Sequence, residues 1–432
     1  MWLIFNVSPT FQPRVGGKGQ DNRQTVYSTT TDYALDVAAG LPEVIALRTH
    51  ATTTSDDDRY LHLPGLIVAE SAAGDVRYLM PDGAPEDGRG SIRQAAYADG
   101  SITVTSLTDD AIDSDSGDVQ VMNSAVFGQE SGVDTDSGAI EVRNSTVTGL
   151  GDAINAATSV VVISSTVTAE NLMGILAGTD ATVLASTVSG GQDGVAAVAS
   201  VTLVNSTISG SGRHGVQSLT GQTINIDHST IADNEGYGIM NPGGTTLLNN
   251  SLVANNGGQG TTQDVSGTLN ASSRYNLIGN RSGTGLSDGV NGNLVGVTGA
   301  LLDPGLNPLA DNGGPSQTQA LQYGSPALDQ IPNGVNGCGL TTVTDQRGTG
   351  RPQNGARDMG AYESLGFYLS LSGGDNQSTA VNTPFAQPLQ VTLVATESNV
   401  TVGAGHIINF SAPISGPGLS PAGGTSRPSA SA

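Results

Sequence analysis

The residues best suited to chemistry in this chain of 432 residues are acidic. Asp113-Ser114-Asp115-Ser116-Gly117 and Asp134-Thr135-Asp136-Ser137-Gly138 lie 21 residues apart. If 21 residues make one structural repeat, the two phrases stand over one another and Asp113, Asp115, Asp134 and Asp136 crowd at one corner. Like charges that close repel, so the carboxyls either hold protons more readily or recruit a cation. Ca²⁺ is the hard, oxygen-seeking ion that Asp-rich loops bind. Neither copy continues to the distal Glu of a calcium loop, which leaves a calcium site and a solvated acidic edge as the two readings, the edge being the simpler.

A second constellation is Asp193, Arg213 and His214. Asp193 and His214 each precede the Gly of a Gly-Val phrase, so the same repeat makes them vertical neighbours, an acid beside an imidazole that suits proton transfer. Glycoside hydrolysis needs two carboxyls placed across a scissile bond, and that placement is not evident around His214: the Asp-Asp pair in the repeats, Asp109-Asp110, lies about five turns away. Abstraction of a proton beside a uronate carboxylate needs cations to hold the developing charge. Residues 101–300 contain four arginines and no lysine, and their aromatic residues are Phe127, Tyr237 and Tyr275, few for stacking on sugars. A surface ion pair is the simpler reading of Asp193, Arg213 and His214.

What positions these residues is a repeated phrase. Asn123-Ser124-Ala125-Val126, Asn144-Ser145-Thr146-Val147, Ser164-Ser165-Thr166-Val167, Ala185-Ser186-Thr187-Val188, Asn205-Ser206-Thr207-Ile208, His228-Ser229-Thr230-Ile231 and Asn250-Ser251-Leu252-Val253 place their serines 21, 20, 21, 20, 23 and 22 residues apart. Such a period marks a solenoid whose turns bury a face that no single turn buries alone. The residues four and two places before each phrase alternate with period two, as in Val119 and Val121, Ile140 and Val142, Val201 and Leu203, which reads as a short strand with one buried face. Gly132-Val133, Gly174-Ile175, Gly194-Val195, Gly215-Val216 and Gly238-Ile239 interleave at the same period, with Asp152-Ala153-Ile154 in the remaining register. No 3.6-residue stripe appears, and Gly, Ser and Thr are too frequent for helices. The expected fold is an all-β, parallel β-helix of about 20–23 residues per coil, its seven clear copies spanning roughly 34 Å. Asn144-Ser145-Thr146 and Asn205-Ser206-Thr207 fit the N-glycosylation pattern, but the repeat itself asks for Asn at a left-handed corner.

Composition narrows the function classes. Sixty glycines supply turn chemistry at the corners, and a net charge of −23 with one lysine, Lys18, argues against binding to nucleic acid or to an anionic membrane surface. One cysteine, Cys338, excludes an internal disulfide framework. Met1–Phe5 is apolar but lacks the basic start and cleavage site of a secretory signal, and no run of 18 apolar residues offers a transmembrane segment. Either a chain soluble in the cytoplasm or a fragment or mis-started reading frame of an exported protein fits this, and the second is the expectation.

Past the repeats stand Leu309-Ala310-Asp311-Asn312-Gly313-Gly314-Pro315, Gly324-Ser325-Pro326-Ala327-Leu328-Asp329, Thr344-Asp345-Gln346-Arg347-Gly348, Arg351-Pro352 and Asp358-Met359-Gly360-Ala361-Tyr362-Glu363. In this order they resemble the choice-of-anchor Q region that closes many bacterial right-handed β-helix surface proteins, adhesin-like and polymorphic outer membrane protein-like chains. Gly88-Arg89-Gly90-Ser91-Ile92-Arg93-Gln94-Ala95-Ala96 resembles the segment before the first coil of the same proteins. Many relatives carry a cysteine pair here; Cys338 holds the first position and Arg357 the second, so the cross-link is lost. Gly373–Phe385, Leu389–Thr392 and Ile408–Pro413 are similar to the opening of a bacterial immunoglobulin-like repeat, with too few residues for a sandwich. Arg213-His214-Gly215 faintly resembles the Gly-His-Gly of polygalacturonases, which are also right-handed β-helices.

The resemblance implies a pectate-lyase-like, right-handed solenoid, organised as an irregular region (1–85), a β-helix (86–300), a closing region (301–365) and a fragmentary immunoglobulin-like segment with a tail (366–432). It implies a non-catalytic, extracellular or cell-surface structural or adhesive module. Its partners would be a glycan or the surface of a host or neighbouring cell, met through the flat faces or corner loops such as Ser218–Gln222. The alternatives are a polysaccharide-active β-helix enzyme, a hydrolase or lyase, and a remnant of a larger adhesin.

Overall fold

The computed structural model describes residues 110–410, apart from 115–117, 258–263, 282, 337–342, 381–382 and 404, and the backbone of short strands between Gln24 and Ser106. The expectations for Cys338, Asp115 and the tail after residue 410 lie outside the described residues. So do those for most of residues 1–109, including the side chains of 88–96.

Successive coils wind three parallel sheets. In one coil Ile140–Arg143 joins a seven-stranded sheet, Thr146–Gly149 an eleven-stranded sheet and Ile154–Ala156 an eight-stranded sheet, and the next coil starts again at Val160–Ile163. The registers follow the repeat: Ile140 pairs with Val160, Val147 with Val167 and Ile154 with Ile175. The inward residue of every strand is therefore stacked on its equivalent one coil away. Val119, Val142, Val162, Val183, Leu203 and Ile224 are buried, as are Val133, Ile154, Ile175, Val195, Val216 and Ile239 of the interleaved phrase. Each such side chain removed from water contributes about 1.5–3 kcal/mol, and β-branched residues suit the pleat. Among the described residues there is no α-helix; Val290–Gly292 forms a single 3₁₀ turn.

The repeated phrase builds one corner. Its first residue is left-handed in every coil, with φ of 49° at Asn123, Asn144 and Asn205 and 53° at Asn250, a conformation that Asn tolerates better than other residues with a Cβ. The serine that follows carries a hydrogen-bond ladder along the axis. The backbone N–H of Ser145 donates to Ser165 Oγ (3.0 Å), Ser165 to Ser186 Oγ (3.0 Å), Ser186 to Ser206 Oγ (3.3 Å) and Ser206 to Ser229 Oγ (3.2 Å). Each hydroxyl in turn donates to the carbonyl two residues before it, as Ser165 Oγ does to Ile163 (2.7 Å). The ladder runs on through Ser251 to Asn276 and Asn293, and it satisfies backbone groups that the turn takes out of the sheets.

Residues after about 303 pack on the outer face of the eleven-stranded sheet. Leu252, Ala254 and Leu277 of the coils form a second apolar cluster with Leu321, Ala327, Ile331, Met359 and Tyr362. Upstream, the contact is polar: Thr207 Oγ1 donates to Gln346 Oε1 (2.6 Å), Gln346 Nε2 donates to Thr187 Oγ1 (2.8 Å), and the Ala361 N–H donates to Thr230 Oγ1 (3.0 Å). The motif residues lie inside this layer. Buried Arg351 reaches Glu363 Oε2 (3.1 Å) and the carbonyls of Asp358 (3.0 Å) and Gly360 (2.7 Å), while Arg347 lies 3.6 Å over the Tyr362 ring and pairs with Asp345 (2.8 Å). A hairpin of Phe367–Gly373 and Gln390–Ala395 follows, tied in by Tyr362 Oη donating to Glu397 Oε1 (3.0 Å). Among the described residues after 365 this hairpin is the strand structure present, two strands of any immunoglobulin-like module.

Candidate functional site

The acidic corner forms where Ile112–Ser114 and Val133–Thr135 lie side by side in the eight-stranded sheet, with Asp134 registered between Asp113 and Asn155. Carboxylate oxygens of Asp110, Asp113 and Asp134 come within 4.8 Å of one another. Two of the four expected members, Asp113 and Asp134, are thus brought together. Asp136 is exposed, Asp115 lies outside the described residues, and Asp110 takes a place that the sequence reading did not give it. Asn155 Nδ2 donates to Asp134 Oδ1 (2.6 Å) and the Ser131 N–H donates to Asp110 Oδ1 (2.6 Å). Burial pushes the Asp134 carboxyl up to about 6, with Asp110, Asp136 and Asp152 adding repulsion and the Asn155 amide opposing it. Burial likewise raises Asp152, helped by Asp110 and opposed by the Met173 N–H. Three oxygen donors at this spacing suit a hard divalent cation, and the same crowding suits a shared proton.

Asp110 belongs to a pattern at another corner position. Asp110 Oδ1 accepts the N–H of Ser131, Asp152 Oδ1 that of Met173 (2.6 Å), Asp193 Oδ1 that of His214 (3.0 Å), and His214 Nδ1 that of Tyr237 (3.1 Å). Each side chain caps a backbone donor one coil on. The recurrence of Asp at 110, 152 and 193, two coils apart each time, is the sequence signal that locates Asp110.

That pattern also explains the second constellation. Asp193 and His214 are vertical neighbours as expected, but the carboxylate bonds the backbone of His214 and not its ring. Asp193 is buried, and its Oδ2 lies 3.2 Å from the half-exposed Arg213 guanidinium. Because His214 Nδ1 accepts the Tyr237 N–H, its ring proton sits on Nε2. Burial lowers the His214 pKa, Arg213 lowers it further and Asp193 opposes. The ring packs against Tyr237 at 5.5 Å between centroids. No carboxylate–imidazole relay results from this arrangement: the ion pair is Asp193–Arg213, and the imidazole is a backbone acceptor.

The outward rows differ along the axis. Thr146, Thr148, Thr166 and Thr168 of the eleven-stranded sheet reach solvent, whereas Thr187, Thr207 and Thr230 in the same row are buried beneath residues 316–361. Asn144 is exposed, its amide donating to Asn123 Oδ1 (3.3 Å), and Asn205 donates to the Thr344 carbonyl (2.8 Å) under the covering layer. The corner role read for both asparagines is thus met. The Ser218–Gln222 insertion folds on itself, the Gln222 N–H donating to Ser218 Oγ (2.9 Å), and exposes Leu219. No helix among the described residues is long and apolar enough to cross a membrane.

Residues 131–282 match the family model described as the right handed beta helix region. No curated protein matches the chain. Among solved structures, the crystal structure of pectate lyase Pel9A is similar at 13% identity over 60% of this chain and 69% of that one, with a TM-score of 0.39. Three parallel sheets wound by consecutive coils, together with the family match over residues 131–282, give the coils the fold of a right-handed parallel β-helix.

Proposed function

We propose that this chain is a non-catalytic structural and adhesive module of an extracellular or cell-surface protein, binding glycan on a host or neighbouring cell. The observation that carries the reading is the use of Asp193 and His214: the groups best suited to acid–base work are spent on backbone N–H donors of the next coil. The open rows Thr146, Thr148, Thr166 and Thr168 offer hydroxyls at the regular spacing of a flat sheet, suited to hydroxyl-rich, uncharged glycans. A net charge of −23 disfavours polyuronates and other polyanions. The closing motifs, in the order found in bacterial surface β-helix proteins, support the location.

The test is a glycan array that includes neutral polysaccharides and polyuronates, read for retention of the protein and for release of reducing ends. Retention on neutral glycans without release is the expected result. Release of reducing ends or of unsaturated uronates would replace this reading with the enzymatic one, and neither retention nor release would remove the adhesive half of it.

A further inference from the structure

One repeat position departs from its pattern at the place where the covering layer docks. The left-handed corner residue is Asn in four of the coils, Asn123, Asn144, Asn205 and Asn250, but His228 in the coil between the last two. His228 is 1% exposed. Its Nδ1 lies 3.0 Å from Asp227 Oδ1 of its own strand, and its Nε2 lies 3.4 Å from Arg357 of the closing segment. Asn250 of the next coil donates to Asp227 Oδ1 (2.8 Å), and Arg351 of the closing segment is the second cation near the ring. These groups assign the tautomer: Nδ1–H donates to Asp227, and the lone pair of Nε2 faces the guanidinium N–H of Arg357. A second ring proton would sit on Nε2 and point at a cation, in a place where water does not reach to screen it.

We infer that His228 is a proton-sensitive latch: its neutral ring holds the closing segment on the β-helix, and protonation drives Arg357 and the segment that carries it away. The segment is fastened next to this point by the Gly360 N–H on the Asn250 carbonyl (2.8 Å), the Ala361 N–H on Thr230 and Asn336 Nδ2 on Asn250 Oδ1 (2.7 Å), so loosening at Arg357 is transmitted to these contacts. The sign follows from linkage. Burial lowers the His228 pKa below its ordinary 6.5; Arg351 and Arg357 add to this and Asp227 opposes it. The released ring therefore binds protons more readily than the docked one, and docking weakens as pH falls below about 6.5. Asp227 stays ionised across this window: burial raises it, but His228, Asn250 and Arg351 outweigh burial and hold it below the usual carboxylate range. Asp358 and Glu363 act in the opposite sense, since burial raises both, so a variant at His228 is needed to separate the effects.

Amide hydrogen exchange read by mass spectrometry at pH 7 and pH 5, corrected for intrinsic rates, compares peptides from residues 343–364 with reference coils from 140–204. Between pH 7 and pH 5 the protection of 343–364, relative to the reference coils, is expected to shift about tenfold further toward exposure in the wild type than in His228→Asn, which keeps the left-handed corner as other coils build it and leaves Asp358 and Glu363 in place. An equal shift in the two proteins overturns the latch. Should His228→Asn also expose the reference coils, Arg357→Gln removes the opposing cation instead, and a shift in that variant equal to the wild-type one overturns the latch as well.

Discussion

Thr166 and Thr207 occupy the same rung of the same sheet, yet one faces solvent and the other is buried under Gln346. Backbone, register and inward neighbour are equivalent in the two coils: Val167 and Ile208 are both fully buried beneath them. What differs is the layer outside. A threonine row tolerates burial when its hydroxyls are satisfied, and the closing segment does this with a carboxamide, a carbonyl and an N–H, from Gln346, Gln317 and Ala361. A parallel β-helix therefore carries its stability inward and its individuality outward. The open coils and the covered coils share one interior and differ in what can be broken from outside.

The largest contrast comes from breaking one arginine on each side. Arg351→Ala in the covered region leaves Glu363 buried without its counter-ion and two carbonyls without their donor. A loss of about 3–5 kcal/mol is expected. Arg143→Ala in the open region removes a partly exposed pair with Glu141 and is expected to cost no more than about 1 kcal/mol. Denaturant unfolding of both variants, with exchange protection of residues 343–364 as a local probe, checks the pair. Similar losses in the two would mean that the covering layer is not held by its buried charges.

The inner half of this comparison was legible in the sequence, and the outer half was not. Val119, Ile140, Val162 and Leu203 announced their burial by period two, and Asn144 and Asn205 announced a corner, because one coil repeats the constraints of the next. The docking of Gln346 on Thr187 and Thr207 joins residues about 140–160 positions apart that share no period, so no spacing revealed it. The acidic corner shows the same division. The 21-residue interval placed Asp113 over Asp134, but Asp110 enters the cluster from the turn before its strand, marked by the two-coil recurrence of Asp110, Asp152 and Asp193 and not by the single-coil interval. Asp193 beside His214 was likewise correct in position. Which atom the carboxylate bonds was decided by the backbone N–H that the corner leaves open.

A smaller effect separates the acidic corner from the coils above it. Asp134 has its carboxyl raised from 3.8 to about 6, so the folded state prefers it protonated. Its contribution to stability is complete below about pH 4 and is lost as pH rises through 6. Asp134→Asn keeps an oxygen to accept the Asn155 amide and removes the charge that Asp110 repels. Discounted for its partial exposure, the expected gain is about 1 kcal/mol at pH 7, vanishing by pH 4. Thermal melts at the two pH values measure it. Melts in millimolar calcium decide what the corner holds: the expected result is an unchanged wild-type midpoint. A calcium-dependent rise that Asp134→Asn abolishes would make Asp110, Asp113 and Asp134 a cation site.

The smallest effect tests whether the corner rule holds where the covering layer begins. Ala185 sits at φ 48° between Ser164 and Asn205, in the one described copy of the repeated phrase whose left-handed residue has no polar side chain. An L-residue with a Cβ carries a cost of about 1–2 kcal/mol in this conformation, and Asn recovers part of it by bonding locally. Ala185→Asn also puts an amide on the axis next to Asn205, extending the contact that Asn144 makes to Asn123. A gain of about 0.5–1 kcal/mol is expected in denaturant midpoint, with the slope unchanged. Asn205 already gives its amide to Thr344, so this gain should come from backbone relief at the corner and persist when the closing segment is loosened by Arg351→Ala. A gain that disappears in the double variant would show instead that the new amide had joined the covering layer, which the threonine row places over this same coil at Thr187.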